Sequence, residues 1–330
     1  MQRHLPALRT TRTVTRGRVL LIGLLAFLGF NGVAWMQAWT LTHYVEAGPP
    51  APHIEALSLA QRVSAVLFGV RVPRPRNLHT PADVGLDYET HRIPVEDGGS
   101  LEGWYVPHAG ARAIVLLFAG YASSKESLVS PAAALHDLGY AAFLVDFRGT
   151  GGSTGADTAL GAREAVDVAH AATYAAQTWP GRPLVLYGIS MGAAAVLRAI
   201  AVEGVHPAAI ILESPFDRLI DTVDNRFDAM GLPSFPAAPA IVFWGSVQHG
   251  MNGFTHNPVD YARAVTCPTL LLHGERDPRV TPAQNAAVYA ALPEPKRLVT
   301  FPGAGHDLLI LADAAAWRAA LAPFLAAVGR

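Results

Sequence analysis

The chain has 330 residues, of which 51% are hydrophobic and 15% charged, with a formal net charge of −1. That hydrophobic share excludes a disordered chain, and the near-neutral balance leaves no chain-wide footprint for nucleic acid. Cys267 is the single cysteine, which excludes an internal disulfide and a cysteine-rich metal site.

Residues 1–46 differ from the rest. Arg3, Arg9, Arg12, Arg16 and Arg18 precede the first acid, Glu46. From Val19 to Met36 the chain reads VLLIGLLAFLGFNGVAWM, and the uncharged stretch continues to Val45. About 18 such residues are near the minimum for crossing a bilayer. Trp35, Trp39 and Tyr44 stand at the far end, where amphipathic rings favour the headgroup zone. The arginines predict a cytoplasmic N-terminus, with the bulk of the chain on the outer, periplasmic or extracellular, side. The alternative is a signal peptide and a secreted mature protein. Val45-Glu46-Ala47 fits the small-residue rule for cleavage but lies far from the apolar centre. The expectation is an uncleaved single-pass anchor.

Residues 47–85 read as a proline-rich tether, with Pro49, Pro50, Pro52, Pro73, Pro75 and Pro81. Leu57, Ala60, Ser64, Leu67 and Phe68 are spaced to share one face of a short amphipathic helix within it. Arg71, Arg74 and Arg76 read as a solvated charge cluster, with lipid headgroups as the alternative partner.

Strand signals begin at Asp87. YETHRIPV and LEGWYVP flank Asp97-Gly98-Gly99, a hairpin turn in residue type. Apolar runs at 113–119, 141–147, 183–188, 209–214, 269–274 and 297–301 alternate with helical stretches, among them 126–138 and 160–178. In the second of these, Ala162, Ala165, Val166, Ala169, Ala172 and Tyr174 recur near the helical period. Runs without a polar face need helices on both sides. The alternation predicts an α/β fold over 86–330, a doubly wound, mostly parallel sheet with an antiparallel hairpin at its N-terminal edge. Between Ser214 and Asp260 there is no clean strand, while Phe216, Phe227, Met230, Phe235, Phe243, Trp244 and Met251 crowd among prolines and glycines. This reads as a short cap insertion over 214–262 or as a long packed connection.

The stretch VLYGISMGAA carries the chemistry. Gly188-x-Ser190-x-Gly192 stands between an apolar strand and an alanine-rich helix. A strand that turns sharply into a helix strains its apex residue, and side chains at the flanking positions clash with the neighbouring strand and helix. Glycine removes the clash and leaves the Ser190 hydroxyl exposed beside a helix N-terminus, where N–H groups can face a developing oxyanion.

With these motifs the chain resembles the α/β-hydrolase superfamily, roughly from Leu86 to Gly329, and within it the esterase-like and prolyl-oligopeptidase-like branches. The resemblance implies a triad in the order serine, acid, histidine. Ser190 matches the nucleophile, Asp277 in LLLHGERDPRV the acid, and His306 in FPGAGHDLL the base. Glu275, Asp307 and Glu213 are rivals for the acid; His273, at a strand end, reads as structural. The family's His-Gly after the 113–119 strand is replaced by Phe118-Ala119-Gly120-Tyr121. The resemblance assigns the oxyanion donors to the backbone N–H groups of Tyr121 and Met191. DFRGTGGSTG lacks the glycine spacing of a dinucleotide site and the Gly-Lys-Ser/Thr of a P-loop; Asp146 and Arg148 are expected to brace that loop. His249 and His256 do not make a zinc pattern. The expectation is therefore a membrane-anchored serine hydrolase needing no cofactor or metal. It acts on a small-molecule acyl substrate, an ester or thioester, through an acyl-enzyme on Ser190. The alternatives are a serine peptidase or amidase, or a non-catalytic membrane-tethered scaffold on the same fold.

Overall fold

The runs after Asp87 become eight strands of one sheet in this computed structural model, which describes residues 11–48, 57–96 and 98–328. Arg3, Arg9, Pro49, Pro50, Pro52 and the turn residue Asp97 lie outside the described residues. The strands are β1 (Glu89–Pro94), β2 (Ser100–Val106), β3 (Ile114–Phe118), β4 (Ala141–Val145), β5 (Leu184–Ile189), β6 (Ala209–Glu213), β7 (Thr269–Gly274) and β8 (Lys296–Phe301). Their spatial order is β8-β7-β6-β5-β3-β4-β2-β1. β1 and β2 form the antiparallel edge hairpin, and β2 also runs antiparallel to β4. All other pairings are parallel.

The central strands lack a polar face because successive side chains enter two different cores. Leu116, Leu186, Ile210 and Leu271 pack under α4 (Glu164–Thr178), α5 (Met191–Ala201) and α8 (Pro282–Ala291). Their neighbours Leu117, Val185, Ile211 and Leu270 pack under α3 (Val129–Asp137) and α9 (Ala314–Ala326), where Trp317 and Leu321 are wholly buried. Each fully buried aliphatic side chain contributes about 1.5–3 kcal/mol.

The helix expected over 160–178 begins only at Glu164, because Leu160 and Gly161 take left-handed φ values of 54° and 101°. Its buried face is Ala165, Val168, Ala171, Ala172 and Ala175, so Val166 and Ala169 are half-turned away. Between β6 and β7 the described chain is helical: α6 (Leu219–Ala229), α7 (Ala237–His249) and the short helix Pro258–Tyr261.

The N-terminal apolar stretch forms one long helix, α1 (Thr11–Thr42). Within it Gly17–Thr42 has a mean hydropathy of 2.1, long and apolar enough to cross a bilayer. Val19 to Leu28 are exposed, whereas Ala34, Ala38 and Thr42, one helical face, are buried. That face docks on α7 and α6 through Val223, Phe227, Ile241 and Val242. Polar contacts fix it: Trp244 Nε1 donates to Asn31 Oδ1 (3.1 Å), Gln248 Nε2 to Trp35 O (2.9 Å), and Thr158 N–H to Thr42 O (2.8 Å).

The short helix in the tether is α2 (Leu59–Phe68), with Ala60, Ser64, Leu67 and Phe68 exposed, so those side chains do not hold it to the protein. It is held instead through its backbone carbonyls, since Gln37 Nε2 donates to Ala65 O and Val66 O at 2.6 Å, and through Arg62, which donates to Met230 O at 2.9 Å. Arg71 and Arg76 are exposed, in keeping with a solvated cluster, while half-buried Arg74 donates to Ser153 O; Arg76 also donates to Glu46 O at 3.1 Å.

Candidate active site

β5 ends at Ile189 and α5 begins at Met191, which leaves Ser190 alone to turn the chain. Its φ of 51° and ψ of −111° lie where residues with a side chain are strained. The neighbourhood holds it there. Ser190 N–H donates to Glu213 O at 2.7 Å, and Ser190 O accepts from Ala194 N–H at 3.1 Å. A Cβ on Gly188 would stand 2.5 Å from Ala193 N, and one on Gly192 2.7 Å from Ala119 O. Both glycines are required by backbone that passes too close for any side chain.

Asp277 follows β7, and His306 follows β8. The two loops are tied together, because Arg276 N–H donates to Ala304 O (2.9 Å) and Glu275 N–H to Phe301 O (3.0 Å). His306 Nε2 lies 2.9 Å from Ser190 Oγ, and Nδ1 lies 2.6 Å from Asp277 Oδ2. A carboxylate only accepts, so Nδ1 carries the proton and Nε2 is free to receive the serine proton. Asp277 is fully buried at its side chain. Burial pushes its carboxyl up, but the His306 hydrogen bond and charge, with the N–H groups of Val280 and Arg279, hold it below its ordinary value. Those N–H groups reach Oδ1 at 2.9 and 2.8 Å. Three hydrogen bonds thus fix the carboxylate, and it in turn orients the imidazole.

Two of the rival acids, Glu275 and Glu213, are engaged elsewhere, and the third, Asp307, is exposed. Glu275 accepts from Thr300 Oγ1 at 2.7 Å. Glu213, wholly buried at the end of β6, accepts from Leu309 N–H at 2.8 Å and from the Tyr187 hydroxyl. Burial raises its carboxyl above the ordinary range against those hydrogen bonds. Leu309 is three residues beyond His306, so Glu213 anchors the histidine loop without touching the ring. Sequence reasoning considered Glu213 only as a triad acid, and its partner Leu309 carries no local signal. His273 is buried in β7, where desolvation lowers its basicity.

Tyr121 and Met191 stand on the two loops that border Ser190. A Cβ on Gly120 would be 3.5 Å from Ser190 Cβ, which puts the Tyr121 loop against the serine. Met191 is the first residue of α5, where N–H groups have no partner within the helix. Neither N–H has a backbone acceptor among the described residues. The Tyr121 hydroxyl reaches away and donates to Leu41 O of α1 at 2.7 Å, a contact no sequence pattern announces.

The glycine loop after β4 is braced as expected. Asp146 accepts from Gly152 N–H (2.9 Å) and Lys125 N–H (2.7 Å), and Arg148 Nε donates to Asp167 (2.7 Å). Buried Lys125 joins Asp146 and Glu102 as an ion triad beneath it. His249 faces Asp157 at 3.9 Å, and His256 sits at 3.1 Å from Leu160 O. Among the described residues no three His, Cys, Asp or Glu side chains are grouped to hold a metal. Cys267 packs against the sheet core, and burial pushes its thiol up to about 11.

A family model described as serine aminopeptidase, S33, matches residues 109–235 and 247–312, more than half of the chain. The chain belongs to this S33 family of α/β hydrolases. Among its relatives is an uncharacterized protein of Mycobacterium tuberculosis, 31% identical over 226 residues, covering 65% of this chain and 71% of the relative. The lysophosphatidylserine lipase ABHD12 of Macaca fascicularis is 26% identical over 253 residues, covering 69% of this chain and 62% of the lipase. A solved esterase of Pyrococcus furiosus shares the fold with a TM-score of 0.66 at 24% identity, over 78% of this chain and 97% of the esterase. The S33 member described here shares with that esterase the α/β-hydrolase sheet and its helical layers.

Proposed function

We propose that this S33 hydrolase is a membrane-anchored serine hydrolase that cleaves an ester or thioester through an acyl-enzyme on Ser190. The observation that carries the reading is the hydrogen-bonded line Ser190–His306–Asp277 at the carboxyl edge of the sheet. In this reading His306 Nε2 takes the Ser190 proton as Oγ attacks the acyl carbonyl, and ionised Asp277 stabilises the imidazolium. The Tyr121 and Met191 N–H groups receive the oxyanion. The imidazolium then protonates the leaving group, and a water activated by the same ring releases the acid. Apolar packing of Phe216 and Leu219 against Ala194 and Val280, next to the serine helix and the Asp277 loop, favours an acyl substrate. The lipase and esterase activities of two similar proteins point the same way. The family's description favours peptide bonds as a second reading, which aminoacyl-anilides assayed beside p-nitrophenyl esters distinguish.

A fluorophosphonate probe tests the enzyme reading. Wild type labels and Ser190→Ala does not; absence of labelling in folded wild type leaves the scaffold reading. The domain plan of 1–46 anchor, 47–85 tether and 86–330 catalytic part, with 214–262 as cap, belongs to the same proposal. Docking of α1 on the cap supports an anchor over a cleaved signal, because cleavage near Ala47 removes a packed wall. Outward-facing Val63, Leu67 and Phe68 on α2, beside Trp35 and Trp39, suit a membrane-facing collar. The full-length protein resists carbonate extraction and keeps its N-terminal segment; a soluble mature protein starting near Gly48 overturns the anchor.

A further inference from the structure

An α-helix leaves its last four carbonyls without partners inside the helix. In α1 two of these, Leu41 O and Thr42 O, are met from far along the chain. Leu41 O accepts from the Tyr121 hydroxyl at 2.7 Å, and Thr42 O accepts from Thr158 N–H at 2.8 Å. The chain leaving α1 then pairs antiparallel with 156–158. His43 bridges Asp157, and Tyr44 N–H donates to Ala156 O at 2.8 Å.

Both contacts lead to the oxyanion donors. Tyr121 carries one N–H itself, on a loop past the end of β3 that no strand pairing holds. Its neighbour Ala122 has a φ of 55°, a left-handed value that a residue with a side chain keeps only where its surroundings impose it. The Tyr121 ring is surrounded by elements outside the sheet. Arg226 of α6 stands over it, 5.2 Å from guanidinium carbon to ring centroid, and the Tyr44 ring lies 6.5 Å away. Thr158 serves the second donor. Its hydroxyl donates to Glu164 at 2.6 Å and lies 3.5 Å from Met191 Sδ. The triad is held differently, because Asp277 and His306 are fixed by the paired loops after β7 and β8.

We propose that the end of α1 is part of the oxyanion machinery. The Tyr121 hydroxyl, tied to Leu41 O, is a positioning group that keeps the Tyr121 N–H aimed at the developing oxyanion, so the helix that anchors the protein also sets its turnover. The proposal rests on the serine-hydrolase reading above. Removing the hydroxyl loosens one donor and leaves the proton path from Ser190 to His306 untouched. The loss is therefore confined to the transition state, in both acylation and deacylation.

The test uses full-length protein in nanodiscs with p-nitrophenyl butyrate. Tyr121→Phe keeps the ring and removes only the hydroxyl. Its kcat falls about tenfold, less than the roughly 10²–10³ for deleting a donor outright, while KM stays within about twofold. The pH profile keeps its shape and position, and a trifluoromethyl ketone that adds to Ser190 binds more weakly by the same factor as kcat/KM. Linkage is reciprocal, so in wild type the ketone slows amide hydrogen exchange across residues 41–45. That second measurement decides the matter if Tyr121→Phe does not fold. An unchanged kcat, a loss carried by KM, a shifted pH profile, or exchange at 41–45 indifferent to the ketone overturns the proposal while the hydrolase reading stands. Folded wild type that neither hydrolyses the ester nor labels with a fluorophosphonate overturns both.

Discussion

Glu213 offers the sharpest test of how the triad is held. Glu213→Ala leaves two buried donors, Leu309 N–H and the Tyr187 hydroxyl, without their acceptor. Each orphaned buried group costs about 1–3 kcal/mol, and the vacated volume adds to that. A loss of about 3–6 kcal/mol follows, which lowers Tm by roughly 10 °C or more for a domain of this size. Glu213→Gln keeps an oxygen for Leu309 but turns an NH2 donor toward the Tyr187 hydroxyl, which loses its acceptor, so it costs about 1–3 kcal/mol, less than alanine, which orphans both donors. Labelling at Ser190 separates the roles: the alanine variant slows because Leu309 no longer fixes the His306 loop, and the glutamine variant labels almost as wild type. pH gives a second handle. The folded-state carboxyl lies above its ordinary value of 4.5. Its favourable contribution is complete below that value and lost as pH rises through the folded-state value, so wild type loses stability relative to Glu213→Gln on going from pH 4.5 upwards. Thermal scans of the three proteins across pH check this. An alanine variant destabilised by less than about 1 kcal/mol, or a glutamine variant as damaged as the alanine, refutes the anchoring argument.

Gly192→Ala drives a Cβ to 2.7 Å from Ala119 O and into Phe118 O, so it destabilises by about 3 kcal/mol or more. Gly303→Ala, with nothing within 4 Å and no positive φ, leaves Tm within about 1 °C; equal effects in the two variants contradict the elbow geometry. Asp277→Asn removes the group that fixes the His306 tautomer, and kcat falls by about 10⁴ while the fold persists. Because the Asp277 carboxyl is held below its ordinary 3.8, its contribution to stability is present above that pH and lost as pH falls through the lower folded-state value. The Tm gap between wild type and Asp277→Asn should persist at pH 4 and narrow only in stronger acid.

Much of the site was legible because its chemistry is written locally. Gly188 and Gly192 mark a turn that other residues cannot make, and the reason is visible in the backbone atoms that crowd them. Asp277 and His306 announce themselves by following apolar strands in chain order. The sheet was legible because continuous apolar runs require cover on both faces. Periodicity put Leu67 and Phe68 on one face of α2, but it reports that residues share a side, not what lies opposite. The carbonyls that Arg74 and Arg76 bond were not legible either, because distant segments supply them.

The chain by itself determined the layered α/β architecture, the turn at Ser190 and the membrane-length helix, since each follows from spacing along a few consecutive residues. Only the tertiary structure decided that Asp277 and not Glu213 faces His306, that Tyr121 is tethered to Leu41, and that α1 docks on α6 and α7. Those are relations between segments tens to hundreds of residues apart. They depend on how layers dock in three dimensions, a choice set by the summed packing of many side chains and carried by no single stretch.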